Sequence, residues 1–404
     1  MPTLSERALP QLSVLVVVFD MEREAHRTLR SLADDYQRGV SAEQYEVLVL
    51  DNGSPEPFHA GSVAEYGPNF HYHRMPQPSR SPAGAINYGA RLATADYLGV
   101  MIDGARLLTP GILRYALAAR RLVAEPYVVT HCFDLGPALQ PIAIEQGYDR
   151  EREDALLASI GWPADGQRLF DVGVTAADGW FAPLLESTLV FVTRRTFEGV
   201  GGFDERFTSA GGGMVNIHMH ERFCAQPEVE LVTLLGEATF HQMHGGAATG
   251  VPQSAQAELT EALREDYRSI VGAPWSGRPP ARPSRFLGHL PPPARRWLAH
   301  RRDELAAELT RVRRTVRLLE SATSDRQREM LHVHGMIADR DAELARLREE
   351  LAARIATANW LADEVAARRA TLSRLEREVA EPQSALVEGE PCAPAVSAPP
   401  AVPN

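Results

Sequence analysis

An α/β fold with a mostly parallel sheet, followed by a long C-terminal coiled-coil helix, is what the 404-residue sequence predicts. The sheet is predicted because short β-branched runs alternate with helically spaced segments along the first hundred residues, each run closing on turn or carboxylate residues. The helix is predicted because an apolar heptad can be counted from Leu305 almost to residue 380.

Residues 12–19, Leu-Ser-Val-Leu-Val-Val-Val-Phe, read as a strand buried on both faces. Glu22 to Leu32 carries Ala25, Leu29 and Leu32 on one helical face. A second buried strand spans Tyr45 to Leu50 and closes on the turn Asp51-Asn52-Gly53-Ser54-Pro55. A helix is expected over Ala83 to Ala93 and a third strand over Tyr97 to Ile102, ending at Asp103-Gly104; another strand is expected over Leu231 to Leu235. Sheets built this way bind ligands at the carboxyl ends of their strands, which here carry Phe19-Asp20, Asp51-Asn52 and Asp103-Gly104.

All 42 basic residues are Arg, and Lys is absent. That removes P-loop chemistry, a pyridoxal Schiff base and the protein-kinase lysine. Cys132, Cys224 and Cys392 are too few and too scattered for a disulfide framework or a Cys-based zinc site, which fits a reducing cytoplasm. No signal pattern is present, and the longest early apolar run, Val14 to Phe19, is too short to span a bilayer. A cytoplasmic protein is the expectation. The net charge of -11 argues against nucleic acid as a partner.

Four ordered pieces carry a resemblance: SVLVVVFDMERE, YEVLVLDNGSPEP, SPAGAINYGARLATADYLGVMIDGAR and ESTLVFVTRRTFEGVGGFDERF. Together they resemble the nucleotide-sugar domain of family 2 glycosyltransferases, the GT-A fold, over residues 12–250. The resemblance implies a nucleoside-diphosphate sugar as donor, uridine-based, and a glycan or lipid-linked saccharide as acceptor. It implies that Phe19, Asp20, Glu22 and Asp51 line the base pocket and that Asp103 and Gly104 meet the donor. Without Lys, the diphosphate must be met by Arg, metal, His or backbone N–H groups. Arg80, Arg91 and Arg106 are nearest the motif strands, with Arg80 best placed.

Two departures from the family pattern matter. Asp103 matches the first carboxylate of the Asp-X-Asp metal motif, but Ala105 stands at the third position. Bound Mn²⁺ or Mg²⁺ would then depend on Asp103 and on His241 or His244 of GEATFHQMHGG, with His244 favoured. The family also follows Gly-Gly-Phe-Asp-Glu-Arg-Phe with a Glu-Asp pair whose Asp is the base. This chain has Ser209-Ala210-Gly211-Gly212-Gly213-Met214-Val215-Asn216 there. An amide cannot take a proton at neutral pH, so Glu186 and Asn216 are the catalytic candidates, with His218, His220 and Glu221 nearby. The glycine run reads either as an oxyanion-binding loop or as a flexible one. Trp162, Trp180, Phe181, Asp149 and Asp178 are candidates for acceptor contacts. Loss of both carboxylates leaves a second reading open, a nucleotide-sugar-binding module that does not transfer, and a third, a scaffold acting through its coiled coil.

The expected organisation is a GT-A-like domain over 1–271, a Pro/Arg-rich linker over 272–302, a coiled coil over 303–380 and a disordered tail over 381–404. The linker holds seven Pro between Gly272 and Pro293, and seven Arg with no acid between Arg278 and Arg302, a pattern suited to peripheral contact with anionic lipid. Seventeen of 22 heptad core positions are apolar, which predicts a homodimer.

Overall fold

Alternation along the first strand decides which side chains serve which face of the sheet. In the computed structural model, which describes residues 9–177, 179–247, 249–279, 282–295 and 369–375, β1 spans Leu12–Val18 and is buried throughout. Val14, Val16 and Val18 join one apolar cluster with Ala25, Leu29 and Leu32 of the helix Glu22–Leu32 and with Ile112, Leu113 and Ala116 of the helix Ile112–Leu122. Leu15 and Val17 point the other way, into a cluster with Ala85, Ile86 and Ala90 of the helix Ala83–Leu92 and Val215, Met219 and Phe223 of the helix Val215–Ala225. Burying each such Val or Leu is worth about 1.5–3 kcal/mol, so the period-2 pattern fixes the strand between two helical layers.

The remaining strands are β2 (Tyr45–Asp51), β3 (Phe70–Arg74), β4 (Tyr97–Met101), β5 (Arg106–Leu108), β6 (Pro126–Leu135), β7 (Gly173–Val174), β8 (Leu189–Thr193), β9 (Glu230–His241) and β10 (Arg285–Gly288). Their order is β10-β9-β6-β8-β4-β1-β2-β3, with β5 on β9 and β7 on β6. Along that path β8 alone runs antiparallel to its neighbours. The expected helices and first three strands agree with the structure to within a residue at each end. The strand expected at Leu231–Leu235 is longer, since β9 continues through His241.

The Pro/Arg-rich stretch is not wholly a linker. Residues 285–288 of it form β10, parallel to β9, and Ala294 is buried in a cluster with Trp180, Phe170 and Phe240. Seven prolines did not prevent this because the strand itself contains none. The heptad segment and the tail lie outside the described residues except for 369–375, which are helical with Leu372 and Leu375 exposed. No described helix is long and apolar enough to cross a membrane.

One carboxyl inside this framework titrates unusually. Glu237 on β9 is buried, and its Oε2 accepts the Gly111 N–H at the start of the helix Ile112–Leu122. Burial pushes it up to about 7, against the pull of hydrogen bonds from Thr109, Gly111 and Gln167. A carboxyl that holds its proton more tightly folded than unfolded stabilises the acid side. That contribution is full below the ordinary value of 4.5 and is lost as pH rises through about 7. It amounts to about 3 kcal/mol. Glu237→Gln is expected to flatten the fall in Tm between pH 5 and pH 8; an unchanged slope in thermal melts would exclude Glu237 as its source.

Candidate functional site

Three neighbouring strands put three charged groups in one row. In the sheet register Arg106 of β5 lies opposite His241 of β9, and His241 lies opposite Asp134 of β6. Partners in register share a face, so the three side chains stand together at the strand ends. Asp103, in the turn between β4 and β5, reaches the same point: its Oδ2 is 3.0 Å from His241 Nε2 and 3.4 Å from Arg106 Nε. Its Oδ1 accepts the Ala105 N–H and holds the turn.

Past His241 the chain bends, so that His241 Nε2 and His244 Nε2 come within 2.9 Å of each other, and His244 Nε2 lies 3.7 Å from Asp103 Oδ2. Glu153 secures the bend. Its buried carboxylate accepts the Met243 N–H at 2.6 Å and pairs with Arg23 at 2.6 Å, tying the helix Arg150–Ser159 to the helix Glu22–Leu32. Asp103, His241 and His244 form the cluster of cation-ligand type found among the described residues. Of the pair, the sequence reading favoured His244; the structure brings both.

The electrostatics follow from this crowding. Burial would push the Asp103 carboxyl up, but His244, His241 and Arg106 outweigh it and hold it well below the usual carboxylate range. Burial and Arg106 pull His241 down, yet Asp103 and Asp134 leave it raised; burial dominates at His244 and lowers it. Arg106 is buried, donates from Nη1 to Cys132 Sγ and feels Asp103, Asp134 and Glu186.

Glu186 sits in the loop before β8 rather than at the start of the strand. It faces solvent, yet the crowded protein around it desolvates the carboxyl and pushes it up, against the opposing pulls of Arg106 and a hydrogen bond from Asn216. Asn216, in the first turn of the helix Val215–Ala225, therefore meets Glu186, and the two catalytic candidates stand side by side.

The other candidates separate by environment. Phe19, Asp20 and Glu22 are exposed at the end of β1, and Asp20 adopts a left-handed φ of 49° with its N–H donated to Ser54 Oγ. Asp51 is fully buried: Oδ1 accepts the N–H groups of Gly53 and Ser54, and Oδ2 accepts the Tyr72 hydroxyl. In this structure it builds the turn, a role compatible with the one expected of it. Gly104 is buried as well; a Cβ there would lie 2.6 Å from the Val17 carbonyl, so its smallness lets the Asp103 turn sit against β1. Arg80 is exposed, and its carbonyl accepts the Gly211 N–H. Since Gly212 N–H goes to the Ser209 carbonyl, two of the three glycine donors are spent inside the loop, against the oxyanion reading.

Trp180 is fully buried against His131, Phe133 and Phe170, which removes it as a stacking platform. Trp162 is turned onto Tyr36, Asp149 caps the helix Arg150–Ser159, and Phe181 pairs with Phe286; Asp178 lies outside the described residues. His220 bonds Tyr127 in the core, Glu221 accepts the Tyr267 hydroxyl, and His218 lies 3.8 Å from Asp204. Asp134, Cys132 and Arg106 are the site residues that sequence reasoning missed or underweighted. The i, i+2 spacing of Cys132 and Asp134 signalled a shared strand face, but not which strand lay beside it.

A mostly parallel α/β sheet with a charged cleft at its strand ends is the layout in which such sheets bind ligands. Residues 13–102 match the family model described as Glycosyl transferase family 2, and the match stops one residue before Asp103. The resemblance read from the sequence is borne out over that stretch. Similar solved structures include S. aureus TarS 1–349 in complex with UDP-GlcNAc, at 13% identity and TM-score 0.40, covering 64% of this chain and 67% of that one. A further crystal structure of S. aureus TarS 1–349 aligns at 11% identity and TM-score 0.38, over 64% of this chain and 66% of that one. Mannosyltransferase PcManGT from Pyrobaculum calidifontis, in complex with GDP-Man and Mn²⁺, aligns at 17% identity and TM-score 0.40, over 89% and 87%. This chain thus spans just under two thirds of the TarS 1–349 chain. No curated protein matches it.

Proposed function

We propose that this chain is a glycosyltransferase that moves a sugar from a nucleoside-diphosphate sugar, uridine-based, to a saccharide acceptor. One observation carries the reading: Asp103, His241 and His244 converge at the strand ends within reach of the fields of Arg106 and Glu186, in a chain whose first strands match the family.

The donor set of one carboxylate oxygen and two imidazole nitrogens suits a divalent cation. Bound there, the cation would neutralise charge gathering on the leaving diphosphate. Phe19, Asp20 and Glu22 form the open wall beside β1 where the base would lie, and exposed Arg80 is free to swing toward phosphate. Glu186 takes the proton from the acceptor hydroxyl. Desolvation strengthens it as a base, and the Asn216 amide orients the carboxylate without competing for the proton. Arg106 is a positioning residue here, holding Asp103 on one side and favouring charged Glu186 on the other. The acceptor, a glycan or lipid-linked saccharide, would enter from the segment 145–186. The heptads would pair two copies in the cytoplasm, and the basic stretch before them suits peripheral contact with anionic membrane.

Isothermal titration across nucleotide sugars, with and without Mn²⁺, tests the reading. Asp103→Asn is expected to weaken the best donor at least about tenfold, the cost of one charge-assisted contact. Absence of binding by every nucleotide sugar would defeat the reading. Tight binding with neither hydrolysis nor transfer to any saccharide acceptor would favour a non-catalytic binding module, the alternative that Asn216 and Ala105 suggest.

A further inference from the structure

We propose that a second pocket, across the helix Val215–Ala225 from Glu186, binds an uncharged saccharide and so holds the distal part of an oligosaccharide acceptor. Its role toward an acceptor rests on the proposed function; its affinity for sugar does not.

The pocket encloses about 540 Å³, inside the usual range for a small-molecule site. Three elements wall it. The helix Ala83–Leu92 gives Asn87, the turn after the helix Arg194–Gly199 gives Asp204, Glu205 and Arg206, and the helix Val215–Ala225 gives His218 and Arg222. His218 and Arg222 are four residues apart and share a helical face. Asn216, two residues before His218, is turned about 200° away from it and meets Glu186. The pocket and Glu186 therefore stand on opposite sides of one helix, about 10–12 Å across with its side chains.

Asn87 fixes the turn. Its Nδ2 donates to the Phe203 carbonyl and to Glu205 Oε1, each at 2.8 Å, and its Oδ1 accepts the Phe203 N–H at 2.8 Å. Arg222 Nη1 donates to the Gly202 carbonyl at 3.0 Å. Polar groups are left over. Glu205 Oε2, Arg222 Nη2 and both ring nitrogens of His218 make no hydrogen bond among the described residues, and all belong to side chains that line the pocket.

Charge decides the kind of ligand. Two carboxylates, Asp204 and Glu205, balance two guanidinium groups, Arg206 and Arg222, and burial lowers the pKa of His218, which leaves its ring uncharged at neutral pH. An anion would have to break the fork of Arg206 on Asp204, closed at 2.6 and 3.0 Å, and a cation would meet both Arg residues. Val200 and Phe203 are buried, so the walls offer an apolar ligand almost no surface. What fits is a neutral molecule crowded with hydroxyls, each able to donate to a carboxylate and to accept from a guanidinium or imidazole N–H. Sugars are such molecules.

The test titrates the full-length chain, without nucleotide, with maltotetraose, cellotetraose, mannotetraose and chitotetraose, by calorimetry and ligand-observed NMR. At least one should bind, and neither inorganic phosphate nor spermine should displace it. Glu205→Gln and Arg206→Ala, both at exposed positions, should each weaken that tetraose about tenfold, the loss of one charge-assisted hydrogen bond, with an unchanged circular dichroism spectrum. In transfer assays both variants should raise its KM by a similar factor, while kcat, the donor Kd and the KM of the matching monosaccharide stay as in the wild type. Binding of no tetraose, displacement by phosphate or spermine, or unchanged binding in both variants would overturn the site. A tetraose that binds but accepts no sugar, in a chain that transfers to another acceptor, would remove the acceptor role. Tetraose binding that both variants weaken, in a chain that binds no nucleotide sugar, would leave the site standing and defeat the proposed function. Transfer with equal KM for monosaccharide and tetraose would do the reverse.

Discussion

Replacing Glu186 with Gln is expected to lower sugar transfer by about 10²–10⁴-fold, the usual contribution of a positioned general base, while donor affinity stays unchanged. The expectation rests on geometry. Asn216 occupies the region where a base is expected from the family resemblance, and it hydrogen-bonds Glu186, so a carboxylate is still present there from a different segment. The substitution is nearly isosteric and keeps a polar partner for Asn216, so kcat should fall and the donor Kd should not move. A pH dependence accompanies it. Desolvation by the protein crowded around it raises the Glu186 carboxyl, and a base must be deprotonated, so transfer should rise with pH through a midpoint above the ordinary 4.5 for Glu. Glu186→Gln should lack that limb. Transfer at the wild-type rate in the variant would assign the base elsewhere.

Arg106→Ala is expected to destabilise the fold by about 3–5 kcal/mol, because it removes a buried cation paired with Asp103 and set in the field of Asp134 and Glu186. Asp103 and Asp134 would keep only the His241 ring between them, Glu186 would lose the Arg106 charge that favours its ionised form, and Cys132 would lose its donor. Arg106→Lys should recover part of the loss, since an ammonium keeps the charge but not the planar fork. Thermal or denaturant unfolding at pH 7 measures both, and added Mn²⁺ should raise the Tm of the Ala variant more than that of the wild type if the ion takes up the vacated field. A drop in stability no greater than that of a surface substitution would show that solvent, rather than Arg106, balances these carboxylates.

The strands and helices of the first hundred residues were legible because their signals are local. Val14, Val16 and Val18 alternate with Leu15 and Val17 within one strand, and no distant residue is needed to read that pattern. Asp103 was legible for the same reason, standing at the end of a recognisable run. The row Arg106–His241–Asp134 was not, because it depends on the register of β9 against β5 and β6, whose members of the row lie more than a hundred residues earlier in sequence. Trp180 shows the opposite limit. This residue type commonly binds ligands, and only packing revealed that it fills the core. Composition misjudged residues 272–302, since prolines on either side conceal the four residues that pair with β9.

That pairing bears on how the protein can be shortened. Composition suggests an end at residue 271, just before the prolines. A polypeptide stopped there would strip β10 away and leave Val232–Leu235 of β9 with peptide groups unpaired on that side, next to Gly236, where a Cβ would run into the His289 carbonyl. Bare strand margins recruit the margins of neighbouring molecules, and this strand is mostly buried and apolar. The same strand carries His241, so self-association along it would begin about six residues from the candidate cation cluster.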